Sequence, residues 1–125
     1  MTPSTFTAVV NIAVPVTDQD RTKALLERLG LATRMDAELQ PGFRWIEMSL
    51  PGGTAALALV RASAELPAGI DTGIRLATTD ARAAHATLAG LGLTVGALLD
   101  WDSAPLMFAF QDPDGNRFYV MQMDS

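Results

Sequence analysis

The chain has 125 residues, 49% of them hydrophobic and 18% charged, a balance that fits one folded domain with a sizeable core and excludes a disordered chain. A net charge of −5 argues against DNA or RNA as a partner, since phosphate binding needs a basic stripe. With no cysteine, disulfides and thiolate metal sites are excluded. The N-terminus, Met1-Thr2-Pro3-Ser4-Thr5, lacks the charged and apolar regions of a signal peptide. The longest apolar runs reach about six residues, far below the roughly 20 that cross a bilayer. The expected setting is therefore cytoplasmic, with no membrane partner.

Residues 7–16 alternate, with Ile12, Val14 and Val16 on one side and Asn11, Ala13 and Pro15 on the other, which predicts a half-buried strand. Asp18 stands where a helix N-cap belongs. Leu25, Leu26 and Leu29 follow at helical spacing, and Gly30 marks the stop, so a helix is expected over 19–29. Strands are expected at about 31–36, 43–50 and 55–61, with turns at Pro41-Gly42 and Pro51-Gly52-Gly53. The stretch from Ala62 to Ile70 reads as a connector. A second series then runs as strand 72–79, helix 80–91, and strands at about 93–99, 105–111 and 116–123. The turn Asp112-Pro113-Asp114-Gly115-Asn116 combines a proline-fixed φ with a glycine free to adopt positive φ.

The second series repeats the first at a constant offset of 62 residues. Thr17-Asp18 matches Thr79-Asp80, and Leu29-Gly30-Leu31 matches Leu91-Gly92-Leu93. Ile12, Ala24, Leu26, Pro51 and Gly53 match Ile74, Ala86, Leu88, Pro113 and Gly115. These ten identities exceed the roughly three that composition alone gives. The expected fold class is α+β, two βαβββ modules at about 6–61 and 71–124 within a single domain over 1–125.

Strand ending in Val-Thr-Asp, helix closing in Leu-Gly-Leu, duplication, and the C-terminal run Asp112-Pro113-Asp114-Gly115-Asn116-Arg117-Phe118-Tyr119 occur together and in order. With them the chain resembles the vicinal oxygen chelate superfamily, the glyoxalase, bleomycin-resistance and ring-cleaving dioxygenase proteins. One departure is Ala24-Leu25-Leu26, where the first helix of that family usually carries Phe-Tyr. The resemblance implies that the paired modules form a half-barrel cleft holding a small-molecule ligand. It also implies a homodimer, with the cavity within one chain or across two.

Enzymes of that family hold one divalent metal with four side chains, usually His, Glu or Gln, from the first and last strands of the units. The matching positions here are Asn11, Gly73, Tyr119 and Ala58, or Leu57 if no one-residue shift is made. Glycine, alanine and leucine carry no donor, and asparagine and neutral tyrosine are poor ligands. No metal and no cofactor is expected. His85 falls inside the second helix, among alanines, and reads as a surface or half-buried helix residue.

Strand alternation turns Asn11, Ala13, Trp45, Glu47 and Ser49 toward the cleft from the first module, and Arg75, Ala77, Met107, Gln111, Tyr119 and Met121 from the second. The ligand-binding set is then Asn11, Trp45, Arg75, Met107, Gln111, Tyr119 and Met121, an apolar and aromatic surface with a few polar groups. Arg75 reads either as an anchor for an acidic or carbonyl-bearing ligand, or as an internal ion pair with Glu47, or as an outward arginine. Glu47 and Tyr119 are the candidate catalytic residues, Glu47 as a general base. Trp101 could serve a lid or a dimer contact. The function expected is metal-independent binding of a small organic ligand, antibiotic-sequestering as in bleomycin-resistance proteins. The alternative is a glyoxalase-like lyase or isomerase acting on a small carbonyl-bearing metabolite.

Overall fold

A computed structural model describes residues 2–123. In chain order the elements are β1 (Asn11–Val16), α1 (Gln19–Arg28), β2 (Ala32–Gln40), β3 (Phe43–Ser49), β4 (Ala56–Arg61), β5 (Asp71–Thr78), α2 (Ala81–Gly90), β6 (Thr94–Val95), β7 (Met107–Gln111) and β8 (Arg117–Gln122). They form two four-stranded mixed sheets, ordered β1-β4-β3-β2 and β5-β8-β7-β6, each with one helix. The α+β class and the two βαβββ modules are thus as expected. The chain divides into two compact units between Leu66 and Pro67. The expected end of the second module, at residue 124, lies outside the described residues.

Both helices are started and stopped by the same devices. The Asp18 carboxylate accepts from the Arg21 N–H at 3.0 Å, and Asp80 accepts from the Ala83 N–H at 3.0 Å. Each cap satisfies one of the amides that a helix N-terminus leaves open. At the other end Gly30 turns to φ +95°, and the Leu31 N–H reaches back to the Leu26 carbonyl at 3.0 Å. Gly92, at φ +83°, and the Leu93–Leu88 bond at 3.3 Å repeat the arrangement. This is a Schellman closure, and Leu26 and Leu31 are both buried, as its hydrophobic contact requires.

In the first unit Leu26 and Thr22 of α1 are buried together with Val14, Val16, Ile46, Met48, Leu57 and Leu59 of the sheet. In the second, Ala81 and Leu88 of α2 are buried with Ile74, Phe108, Phe110, Phe118 and Val120. Phe110 and Phe118 stack at 5.3 Å between ring centroids. His85 sets its ring edge-on to Phe108 at 5.0 Å, with Nε2 2.9 Å from the Gly96 carbonyl oxygen, so the helix histidine is tied into the sheet side of its unit.

Two strand boundaries and one burial stand out as different from the sequence expectation. The first strand begins at Asn11 rather than residue 7, because its partner β4 begins at Ala56 and the ladder ends with the bond from Ala56 N–H to the Val10 carbonyl. Ile12, expected in the core, is 36% exposed on this edge strand. The strand expected at 93–99 is reduced to Thr94–Val95 plus an isolated bridge from Leu99 to Met107. Val95 pairs with Phe110 and Leu99 with Met107, so the 95–99 side carries one residue too many and the ladder breaks there.

Candidate ligand-binding faces

Each sheet packs its helix on one face and leaves the other free of helix. In the first unit, pairing puts Glu47 opposite Ala58, and Ala58 opposite Ala13. Met35 pairs with Glu47, and Ala37 with Trp45. The helix-free face therefore carries Met35, Ala37, Trp45, Glu47, Ala58 and Ala13, with Asn11 beside Ala56 at its end. The Trp45 indole N–H donates to the Glu47 carboxylate at 2.7 Å, and the Trp45 ring lies 6.1 Å from that of Phe43. Trp45 and Glu47 are both half-buried.

In the second unit three rows cross the helix-free face. Ala77, Met121 and Met107 form one, Arg75, Tyr119 and Ala109 the next, and Asp71, Arg117 and Gln111 the third. The Tyr119 hydroxyl donates to Asp71 Oδ2 at 2.6 Å, and the Gly73 N–H donates to Asp71 Oδ1 at 3.0 Å. The Tyr119 hydrogen bond first, then the Gly73 amide, hold the Asp71 carboxyl below its ordinary pKa. The Arg75 guanidinium lies 4.6 Å from the Tyr119 ring centroid and donates to the Gly73 carbonyl at 2.7 Å. Arg75 is thus engaged by its own unit, and its tyrosine partner is fixed by Asp71, a residue that alternation alone did not single out.

The structure resolves the choice between Ala58 and Leu57. Ala13, Ala58 and Glu47 stand in the same relation as Arg75, Tyr119 and Ala109, so the last strand of the second unit is shifted by one residue against the 62-residue offset and Ala58 is the counterpart of Tyr119. Leu57 points to the core face and is buried. Asn11 and Ala58 share a face but lie two residues apart in register, since Asn11 pairs with Ala56. Gly73 departs further. It lies within the register shift between Asp71 and Arg75 and has φ +68°, a conformation that side-chain-bearing residues disfavour. The family's metal positions thus offer one amide, two residues without donors, and a hydroxyl already given to Asp71. This set does not fit a divalent cation, which needs carboxylate, imidazole or carbonyl donors.

Gln111 lines an open hollow of about 110 Å³ with Thr94, Gly96, Ala109 and Arg117. Trp101 is 58% exposed on the segment between β6 and β7, and Arg82 of α2 lies 3.7 Å from the neighbouring Asp100. Among the described residues no helix is long and apolar enough to cross a membrane.

Two βαβββ units, each a four-stranded mixed sheet with one helix, define the fold class. The chain belongs to the Glyoxalase/Bleomycin resistance protein/Dioxygenase superfamily, whose model matches residues 8–120. Among solved structures it is similar to TnmS3, an antibiotic binding protein from Streptomyces sp. CB03234. The identity is 27% over 98% of this chain and 100% of that one, with a TM-score of 0.84. It is also similar to a superfamily member from Sphaerobacter thermophilus DSM 20745, at 28% identity over 93% and 97% of the two chains and a TM-score of 0.83. FosX, the fosfomycin resistance protein of Listeria monocytogenes, shares the fold at 12% identity, with 93% of each chain covered and a TM-score of 0.75. Comparison with curated protein sequences finds no match.

Proposed function

We propose that this protein binds a small organic ligand without a metal, on the helix-free faces of its sheets, and sequesters it unchanged as an antibiotic-binding protein does. The observation that carries the reading is Gly73: at a family metal position it has no side chain, a positive φ and a place inside a register break. The aromatic and thioether residues Trp45, Phe43 and Met35 on the first unit's face, and Met107 and Met121 on the second's, support binding of a largely apolar ligand. The likeness to an antibiotic binding protein along the whole chain supports the same reading. The proposed contacts are Asn11 and Trp45, with Glu47 beside Trp45, on the face of the first unit, and Arg75, Met107, Gln111, Tyr119 and Met121 on the face of the second. With it goes the proposal of a cytoplasmic homodimer, for which sedimentation should give about twice the chain mass of 13.3 kDa.

Thermal shift tests the reading. A ligand that binds only the folded state raises Tm by mass action, about 2.7 kcal/mol at a hundredfold excess over Kd. Planar polycyclic antibiotics should raise Tm saturably, and Mn²⁺, Ni²⁺ and Zn²⁺ should not. A saturable rise with a divalent metal overturns the metal-independent reading. Consumption of an acidic carbonyl compound, abolished in Glu47→Gln, would put a lyase or isomerase in its place.

A further inference from the structure

Among the described residues, one cation of the second unit, Arg117, makes no side-chain hydrogen bond or ion pair. We propose that Arg117, with Gln111, is the anchor for a carboxylate or other acidic oxygen group of the ligand, seated in the hollow between β6, β7 and β8. This rests on the small-molecule-binding reading and names the chemistry that site recognises.

Arg117, Asp71 and Gln111 lie side by side in one row across β5, β8 and β7. Asp71 stands beside Arg117 in the row, but its carboxylate accepts from the Tyr119 hydroxyl at Oδ2 and the Gly73 amide at Oδ1 and makes no hydrogen bond with Arg117. Arg117 acts on Asp71 only through longer-range attraction. Neither the Arg117 guanidinium nor the Gln111 side-chain amide has a hydrogen bond or ion pair among the described residues. Arg75, the cation that strand alternation nominates, is held by the Tyr119 ring and the Gly73 carbonyl. With Arg75 and Arg117 against Asp71, this face keeps one positive charge on a chain whose net charge is −5.

The size of the hollow sets what it takes. About 110 Å³ holds a carboxylate or carbonyl end, not a drug-sized body, whose pockets run to about 300–1,000 Å³. Gly96 lines the hollow in close approach to Ala109, where a Cβ would meet the Ala109 carbonyl oxygen at 3.3 Å. Past Ala109 the face turns apolar through Met107, Met121 and Ala77, which suits a ring system attached to the acidic end. A planar guanidinium fork can bond both oxygens of a carboxylate, and the Gln111 amide adds a third donor.

Titration calorimetry on the full chain with 2-naphthoate and its uncharged methyl ester tests the assignment. Arg117→Gln removes the anchor, and Arg82→Gln removes an equal charge on α2 as a control. The wild type and Arg82→Gln should prefer the acid by about three- to fivefold, the strength of a solvent-accessible charge pair. Arg117→Gln should bind both probes with equal affinity and an unchanged affinity for the ester. Addition of 2-naphthoate should also shift the Arg117 Nε–H resonance. An acid preference that survives in Arg117→Gln, or is absent from the wild type while the ester still binds, overturns the anchor and leaves the apolar binding face standing. Failure of both probes to bind overturns the binding reading itself.

Discussion

At the level of single residues, Asn116 does more than end a turn. Its Oδ1 accepts from the Gly69 and Ile70 amides at 2.9 and 3.2 Å, and its Nδ2 donates to Asp112 Oδ2 at 2.9 Å. Asp112 Oδ1 accepts in turn from the Asp114 and Asn116 amides, both at 2.9 Å. The turn between β7 and β8 thereby clamps the segment that leads into β5. Asn116 is fully buried, so Asn116→Ala orphans several polar groups at once and should cost about 2–3 kcal/mol by urea denaturation. Burial pushes the Asp112 pKa up, opposed by its bonds to Asn116. A carboxyl raised on folding binds its proton more tightly in the folded chain. Its contribution to stability is therefore greatest below the ordinary carboxylate range and is lost as pH rises through the raised value. Asp112→Asn should remove that slope from the pH–stability curve. It should still lower stability, because its amide would meet the Asn116 Nδ2 donor.

At the level of elements, one ion-pair network fastens α1 to its sheet. Asp36 on β2 takes Lys23 of α1 at 2.9 Å and Arg44 of β3 at 2.8 Å, and Arg44 reaches Asp20 of α1 at 2.8 Å. Hydrogen bonds from Arg44 and Lys23 hold the Asp36 carboxyl well below the usual range. Its contribution is complete above the ordinary aspartate pKa and fades only in strong acid. The groups are partly exposed, so Asp36→Asn should cost only about 1 kcal/mol at neutral pH, with most of the loss screened away by salt. Asp18→Ala, which uncaps α1, should cost a similar amount by thermal denaturation. The elements were legible where the signal is local. Asp18, Asp80, Gly30 and Gly92 announce the helix ends, and the repeat announces the second unit. The ends of β1 and β6 were hidden because they depend on where a partner strand stops or gains a residue. Alternation within one segment carries no such information.

At the level of the whole molecule, net charge and local charge pull in opposite directions. Strand pairing puts Trp45, Glu47, Arg75, Gln111 and Tyr119 on helix-free faces, as period-two alternation sorts them. Alternation could not show that Arg75 is engaged by the Tyr119 ring and the Gly73 carbonyl while Arg117 makes no such bond, since that depends on contacts across strands. A chain at −5 repels an acidic ligand at long range, whereas the Arg117 row attracts it at contact. Screening separates these two effects by distance: the Debye length falls from about 30 Å at 0.01 M salt to about 8 Å at 0.15 M. Salt in that range removes the repulsion of the distant acidic surface first and spares the short-range pair. Stopped-flow association of 2-naphthoate should therefore speed up modestly, about twofold or less, between those salt concentrations, while the methyl ester is unaffected. A rate for the acid that falls steeply over the same range would mean that positive potential governs the approach as well as the contact. The single anchoring charge would then be too small an account of how this acidic protein captures its ligand.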